Sequence, residues 1–168
     1  MNSSDLRELQ APLKEKYRAD PSSALITLRA EGHLGEGVTC RVETAKGIAK
    51  AGLHPATGGS GFEVCSGDML LQALAACAGV TMNAVAAATG VPVTSGRVIA
   101  EGDLDFRGTL GVDKSAPVGF RDIRLRFVLA TEAAPEQLEK LLQLTERYCV
   151  VYQTLRHGPP IGASLERV

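Results

Sequence analysis

Residues 65–92 read CSGDMLLQALAACAGVTMNAVAAATGVP, and this stretch decides the fold. From Ser66 it continues to Ala88 as a run of residues with good helix propensity. Gly90 and Pro92 then supply a C-terminal stop. Because apolar residues occupy nearly the whole circumference, we expect this helix to be largely buried. Its many Ala and Gly residues would let other backbones approach closely.

Shorter elements flank this helix on both sides. They are a short helix after Ser3 and Ser4, strands at Leu25–Ala30, Val38–Glu43, Gly47–Leu53, Val93–Phe106 and Phe120–Leu129, a second helix from Thr131 to Cys149, and a closing strand at Ile161–Val168. Strands that cluster around two helices, without alternating strictly with them, predict an α+β fold. We expect an N-terminal helical extension, residues 1–24, and one domain, residues 25–168. One small sheet would hardly cover an all-round apolar helix, so a second subunit is expected.

The composition restricts the classes of partner. A net charge of −1 predicts no broad attraction to nucleic acid or anionic membranes, and 4% aromatic residues without Trp argue against base stacking. The longest apolar run, Met69 to Val85, is interrupted by Gln72, Thr81 and Asn83 and falls short of a membrane span of roughly 18 apolar residues. The first 20 residues have no apolar signal core. A cytoplasmic protein is expected.

The four cysteines are Cys40, Cys65, Cys77 and Cys149. None forms a CxxC pair, and no His/Cys cluster has zinc-finger spacing, so neither a metal nor a cofactor is expected. Structural disulfides are rare in the cytoplasm, so a cysteine pair would be redox-active. The alternative is that all four are buried small hydrophobic residues, and for Cys40 and Cys65 we expect a structural or incidental role.

Cys77 and Cys149 lie on the two principal predicted helices. Packed helices can bring two cysteines within the roughly 5–6 Å between Cα atoms that a disulfide requires. Such a pair suits peroxide reduction, in which a thiolate becomes a sulfenic acid and a second thiol condenses with it. Cys77 is more than two turns into its helix, where the helix dipole has faded, so it needs a cation or hydrogen-bond donors from elsewhere.

Three motifs carry a resemblance to a known family. They are the helix from Cys65 to Cys77 with Thr81 and Met82, the preceding loop His54-Pro55-Ala56-Thr57-Gly58-Gly59, and the segment Tyr148-Cys149-Val150-Val151. In this order and spacing they resemble the OsmC/Ohr family over roughly Leu25 to the C-terminus. Proline commonly follows the second cysteine in that family, and Val150 stands there in this chain.

The resemblance implies an OsmC-like fold, with antiparallel sheets wrapped around two central cysteine-bearing helices in an intertwined homodimer. It implies a thiol-dependent peroxidase that reduces organic hydroperoxides in oxidative-stress defence, with a dithiol or thiol as reductant. Cys77 would be the peroxidatic thiol and Cys149 the resolving thiol. The alternative is a non-peroxidase OsmC-like protein that binds a hydrophobic ligand at the dimer interface; a metal site of His54, Cys65 and Cys77 has poor spacing.

The resemblance also implies an arginine and an acid near Cys77. Gly67 occupies the position of the Ohr glutamate, so Asp68 is the candidate acid, with a helix-capping role as its alternative. Arg41 is the candidate arginine, with a solvated edge charge as its alternative. His54 and Arg107 are further candidates to activate Cys77, although Arg107 is expected to pair with a neighbouring acid.

The residues that flank Cys77 bear on the choice of substrate. They are the apolar residues Leu74, Ala75, Ala76, Ala78 and Val80. Apolar walls would favour the alkyl part of an organic hydroperoxide over hydrogen peroxide, at roughly 0.8 kcal/mol per buried CH₂ group.

Overall fold

The computed structural model describes residues 3–34, 40–42, 51–62 and 64–167 and has an α+β architecture, which confirms the predicted class. The helices are α1 (Ser3–Ala19), α2 (Ser66–Thr89), α3 (Phe106–Thr109), α4 (Pro135–Tyr148) and α5 (Val150–Arg156). The strands are β1 (Leu25–Leu34), β2 (Cys40–Val42), β3 (Ala51–Gly52), β4 (Val64–Cys65), β5 (Ser95–Asp105) and β6 (Phe120–Ala130). Single 3₁₀ turns cover Pro21–Ala24 and Pro55–Thr57.

The main sheet is antiparallel throughout, with the strand order β2-β1-β5-β6. β1 runs to Leu34, past the predicted strand end at Ala30, and pairs with β5 from Leu25 opposite Asp105 to His33 opposite Arg97. β3 and β4 form a separate pair that is parallel, and the expectation of antiparallel sheets alone is wrong there.

Helix α2 lies on one face of the main sheet. Its buried side chains are Leu71, Leu74, Ala75, Ala78, Met82, Val85 and Ala86. They pack in part against Val98 and Ala100, which belong to the central strand β5 and are fully buried. Gly102 of β5 leaves room for the ring of Phe120 on the neighbouring strand, because a Cβ atom there would lie 2.5 Å from that ring. α2 ends as predicted at Gly90, whose φ is +69°.

The described residues leave the opposite face of α2 uncovered, so the single chain buries this helix less completely than expected. Met69 and Val80 are 43% and 37% exposed, and the small residues Ala73 and Ala76 lie between them. By length and composition α2 would be able to cross a membrane, a test that core helices of soluble proteins also pass. Here α2 packs against β1, β5, α4 and α5.

The C-terminal third departs from the expected elements in two places. The predicted helix from Thr131 begins only at Pro135 and ends at Tyr148, because Cys149 is extended (φ −73°, ψ 107°) and a second helix, α5, follows. Cys149 therefore lies between two helices and not on one. Residues 157–167 have no regular structure, so the closing strand Ile161–Val168 is wrong within the described residues. Ile161 is 90% exposed there, and an extended segment with no neighbouring strand has no ladder partner for its backbone.

The N-terminal helix packs onto the rest of the chain. Tyr17 is 2% exposed, and its hydroxyl donates a hydrogen bond to the carbonyl of Ala56 (2.6 Å) in the loop before α2. Gln10 donates to the carbonyl of the next residue, Thr57 (3.1 Å). Two hydrogen bonds therefore hold α1 against the loop that leads into the cysteine helix. The division into an extension, 1–24, and a domain, 25–168, stays a prediction.

Candidate functional site

The two predicted cysteines meet in the structure. Cys77 lies midway along α2 and is half-buried, whereas Cys149, at the α4–α5 junction, is 1% exposed within the core. Both are free thiols, and the thiol of Cys149 donates a hydrogen bond to the sulfur of Cys77. Two groups far apart in the sequence thus form one dithiol pair.

The junction around Cys149 is fixed by backbone hydrogen bonds. Its N–H donates to the carbonyl of Thr145 (2.9 Å), and its carbonyl accepts from the N–H of Gln153 (2.9 Å). The first N–H groups of a helix have no partner within that helix. At the start of α5 they point to the sulfurs: the N–H groups of Val150 and Val151 donate to Cys77, and those of Val151 and Tyr152 act on Cys149.

Burial and hydrogen bonding compete at Cys77. Burial is the largest single influence and raises the pKa of the thiol, because the charged form loses water. Hydrogen bonds from Val151 N–H, the Cys149 thiol, the Thr81 hydroxyl and Val150 N–H act in the other direction. Together they outweigh burial, so the pKa of Cys77 is below the ordinary value of a cysteine. This sulfur is the one that becomes a thiolate first.

Cys149 shows the opposite balance. Burial raises its pKa, and its hydrogen bond to Cys77 and the negative charge there raise it further. The N–H groups of Tyr152 and Val151 lower the pKa without compensating fully, so the pKa of Cys149 is about 11. Cys149 therefore stays a protonated thiol at neutral pH and acts as a hydrogen-bond donor to its neighbour.

Thr81 is a site residue that the sequence analysis did not assign a role. It follows Cys77 by four residues in α2, so the two side chains lie on the same face of the helix. Its hydroxyl donates a hydrogen bond to the Cys77 sulfur. The signal for it was available, because a hydroxyl residue four positions after a reactive cysteine in a helix is placed to reach it.

The predicted acid and histidine face each other. Asp68 lies in the first turn of α2, where burial raises its pKa and the charge of His54 lowers it. Burial lowers the pKa of His54, whose Nδ1 accepts a hydrogen bond from Ala56 N–H (3.0 Å) and whose ring stacks on Phe106. Neither residue is among the main influences on the pKa of Cys77. No side-chain hydrogen bond caps the start of α2, and the catalytic role of Asp68 stays a prediction.

The two candidate arginines differ in outcome. Arg107 pairs with an acid as expected: its guanidinium bonds the buried carboxylate of Asp105 (2.6 and 3.0 Å) and lies 3.5 Å from that of Asp113. It is therefore engaged away from Cys77. Arg41 belongs to β2 and pairs with His33 in the sheet. Its side chain lies outside the described part of the structure, so its role stays a prediction.

Two of the cavities in the structure are lined by residues of the elements around the cysteine helix. The larger, about 500 Å³, opens between β6 and the α4–α5 helices, and the smaller, about 340 Å³, lies near His54, Cys65 and Phe106. Neither cavity is lined by Cys77 or Cys149, although Leu74 and Tyr152 are among the residues that line the larger one. Of the apolar residues flanking Cys77, Leu74, Ala75 and Ala78 are buried in the core, so Ala75 and Ala78 do not form an open pocket wall. Among the described residues no group of three or more His, Cys, Asp or Glu side chains is placed to hold a metal.

A comparison with protein-family models decides the family. The model of the OsmC-like proteins matches residues 58–164, which include both cysteine motifs. The chain belongs to the OsmC-like family. Arg41 and the first residues of the loop that begins at His54 lie outside the matched segment of this OsmC-like chain. No curated protein sequence matches it.

Solved structures of other OsmC-like proteins share the fold. An OsmC-like hydroperoxide resistance protein from Jannaschia sp. CCS1 superimposes with a TM-score of 0.59 at 17% identity, over 86% of this chain and 95% of that one. An OsmC-like protein from Mycoplasma pneumoniae superimposes with a TM-score of 0.55 at 17% identity, over 80% of this chain and 86% of that one. At these identities the likeness concerns the fold.

Proposed function

We propose that this OsmC-like protein is a thiol-dependent peroxidase that reduces organic hydroperoxides, with Cys77 as the peroxidatic and Cys149 as the resolving cysteine. The observation that carries the proposal is the contact of two free thiols whose pKa values move apart. The pKa of Cys77 is lowered, whereas the pKa of Cys149 is raised to about 11. One thiolate beside one thiol is the starting state that a two-cysteine peroxidase requires.

In the first step the Cys77 thiolate attacks an oxygen of the hydroperoxide. An S–O bond forms as the O–O bond breaks, so the sulfur is oxidised to a sulfenic acid and the peroxide is reduced. The leaving alkoxide takes a proton from water and departs as an alcohol. The donors around Cys77 keep the sulfur ionised before this step.

In the second step the Cys149 sulfur attacks the sulfenic sulfur. An S–S bond forms, and hydroxide leaves with the Cys149 proton as water. Before oxidation the Cys77 thiolate raises the pKa of Cys149 through a hydrogen bond and through its charge. Oxidation removes both influences while the N–H groups of Val151 and Tyr152 remain. Cys149 therefore releases its proton more readily only after Cys77 has reacted.

A dithiol or thiol reductant completes the cycle in the cytoplasm. Its thiolate attacks the Cys77–Cys149 disulfide, restores both protein thiols and leaves as an oxidised product. The proposed active form is a homodimer in which a second subunit covers the open face of α2, beside Cys77. The relative from Jannaschia sp. CCS1 is described as a hydroperoxide resistance protein, which agrees with this chemistry.

Cysteine variants test the proposal. With tert-butyl hydroperoxide and a dithiol reductant, Cys77→Ser is expected to lose peroxide reduction. Cys149→Ser is expected to complete at most one turnover before Cys77 is over-oxidised or depends on added thiol. Mass spectrometry of the Cys77 peptide detects the sulfinic product. Cys65→Ser is the matched control and should keep full activity, since Cys65 lies in β4 on the smaller cavity.

Multiple turnovers by Cys77→Ser at the wild-type rate would contradict the assignment. The second candidate function, binding of a hydrophobic ligand without catalysis, is favoured by the 500 Å³ cavity with its apolar residues Ile123, Leu125, Phe127 and Leu155. Ligand binding there would persist in Cys77→Ser, whereas peroxide reduction would not.

A further inference from the structure

Gln153, the middle residue of α5, makes two hydrogen bonds that reach back across the junction with α4. Its backbone N–H donates to the carbonyl of Cys149 (2.9 Å), the ordinary four-residue bond of a helix. Its side-chain Nε2 donates to the carbonyl of Glu146 (2.7 Å), seven residues earlier in α4. One residue therefore binds the chain both at Cys149 and in the turn before it.

The carbonyl of Glu146 needs a new partner because the helix breaks. In a continuous α-helix it would accept a hydrogen bond from the N–H four residues later, that of Val150. Cys149 is extended (φ −73°, ψ 107°), α4 ends at Tyr148, and the carbonyl of Glu146 accepts from the side chain of Gln153 instead. Glu146 and Gln153 are both half-buried, where an unpaired carbonyl costs free energy. The side-chain bond thus belongs to the broken form of the segment, since Val150 would occupy the carbonyl in the continuous form.

The local sequence does not impose the break. Residues 136–157 contain neither Gly nor Pro, and α5 begins without a side-chain cap. A continuous helix is therefore a competing conformation, in which Val150 returns to the carbonyl of Glu146 and draws Cys149 along. Cys149 lies in the core cluster against which Cys77 packs. A shift of Cys149 matters there, because a misplacement of about 1 Å between reacting groups can cost roughly a hundredfold in rate.

We propose that Gln153 is a positioning residue, whose side-chain hydrogen bond to Glu146 holds the break between α4 and α5 and thereby keeps the Cys149 sulfur within reach of Cys77. This role rests on the function proposed above, in which Cys149 resolves the sulfenic acid of Cys77. Gln153 acts through the backbone at the junction and not on the reacting atoms. It therefore serves the second step, the formation of the S–S bond, and the fold does not depend on it.

Three variants isolate this one hydrogen bond. Gln153→Met deletes the amide donor but keeps an unbranched side chain of similar length and helix propensity. Gln153→Lys keeps a donor at the end of an unbranched side chain and is the rescue variant. Gln143→Met is the matched control, because Gln143 is exposed and its side chain bonds only back along α4, to Glu139 (3.3 Å).

The first experiment measures how the Cys77 sulfenic acid divides between the disulfide with Cys149 and the sulfinic acid. Reduced full-length protein is treated with excess tert-butyl hydroperoxide without reductant, and mass spectrometry quantifies both products. Both start from the same sulfenic acid, so their ratio does not depend on the rate of the first step. Gln153→Met is expected to lower the disulfide-to-sulfinate ratio about fivefold, the order of one hydrogen bond. Gln153→Lys should recover most of this loss, and Gln143→Met should match the wild type. An unchanged ratio in Gln153→Met, or an equal loss in Gln153→Lys, would overturn the proposal.

The second experiment uses no peroxide. In buffers of reduced and oxidised dithiothreitol, the fraction of Cys77–Cys149 disulfide gives the effective concentration of one thiol at the other. Gln153→Met should lower it about fivefold, while the reduced variant still unfolds cooperatively in urea. A Gln153→Met chain that does not fold would overturn the proposal, because Gln153 would then hold the fold as a whole. A lowered effective concentration in a protein without peroxidase activity would reject the proposed function alone. Full peroxidase activity in the wild type, with both measurements unchanged in Gln153→Met, would reject this inference alone.

Discussion

Two sulfurs in contact, both partly or fully buried, carry opposite pKa shifts. Burial raises the pKa of each thiol, so the difference comes from the number and direction of the donors. Cys77 receives hydrogen bonds from four groups, whereas Cys149 gives one away to Cys77. At the scale of single residues, the proposed assignment of Cys77 as nucleophile and Cys149 as its partner rests on which thiol donates the hydrogen bond and which accepts it.

Thr81 offers a test of this residue-scale account. Thr81→Val removes the hydroxyl but keeps the β-branched shape and its helix behaviour. Because the hydroxyl is one of four donors to Cys77, we expect the pKa of Cys77 to rise by about one unit. Ultraviolet absorbance of the thiolate, followed over a pH titration, measures the change.

Thr81→Ser is the control for this prediction. It retains the hydroxyl and should titrate like the wild type, apart from a small cost in helix propensity. If the Cys77 thiolate of Thr81→Val forms at the same pH as in the wild type, this hydroxyl does not stabilise the charge on Cys77.

The same residues explain what sequence reasoning reached and what it missed at the site. It singled out Cys77 and Cys149 through their places on the predicted helices and through the family resemblance, and the structure brings the two together while their roles stay a prediction. The need for outside donors followed from the depth of Cys77 in its helix. It sought charged donors, Arg41, His54 and Arg107, since charge is what a sequence displays. Backbone N–H groups are the same for every non-proline residue, so nothing in the letters distinguishes those of Val150 and Val151.

At the scale of elements, strong periodic patterns were predictable and interruptions were not. α2 and the alternating strands β5 and β6 match their predicted extents closely. No Gly or Pro marks the break between α4 and α5 at Cys149, and the β-branched Val150 and Val151 do not indicate a helix start. The parallel pair of β3 and β4, two residues each, is too short to give a pattern.

Side-chain hydrogen bonds to one carboxylate connect the three long strands. Asp103 in β5 accepts hydrogen bonds from the Thr27 hydroxyl in β1 (2.5 Å) and from Arg124 in β6 (2.6 and 3.0 Å). These bonds lower the pKa of Asp103 to about 2, the Arg124 bond contributing most. A carboxyl group whose folded pKa lies below its unfolded pKa of about 3.9 stabilises the fold above that pH. This contribution is lost as the pH falls from about 4 towards 2.

Asp103→Asn tests the contribution of these hydrogen bonds to stability. The variant should lack the part of the acid sensitivity that Asp103 supplies between about pH 4 and 2. At neutral pH its loss should be about 1 kcal/mol or less, since both partners are partly exposed. Urea unfolding at several pH values measures this. Asp122→Asn is the control, because Asp122 also bonds Arg124 but is 57% exposed. If the free energy of unfolding falls with pH in the same way for the wild type and for Asp103→Asn, the prediction is contradicted.

At the scale of the whole molecule, the open face of α2 is the feature that the single chain leaves unexplained. Met69, Ala73, Ala76 and Val80 follow one another at helical spacing on this face, and all are exposed or half-buried. Cys77 borders it and is itself only half-buried. Contiguous apolar patches of this kind on a soluble protein commonly mark an interface, and the small residues permit close approach of another backbone. A second subunit here would cover the apolar face and shield the reactive sulfur from bulk water.

Val80→Asp is the sharpest test of the proposed dimer. A buried carboxylate at the centre of an apolar interface has no partner, so we expect the variant to dissociate and to lose peroxide turnover together. Ile161→Asp is the matched control, because Ile161 is 90% exposed, lies outside α2 and should leave the dimer intact. Analytical ultracentrifugation, repeated down to sub-micromolar concentration, measures the oligomeric state. A wild-type chain that is a folded monomer at that concentration would remove the basis for a stable dimer. If Val80→Asp stays dimeric and active, the interface lies on another surface. Cys77 would then be as exposed in the active protein as it is in the single chain.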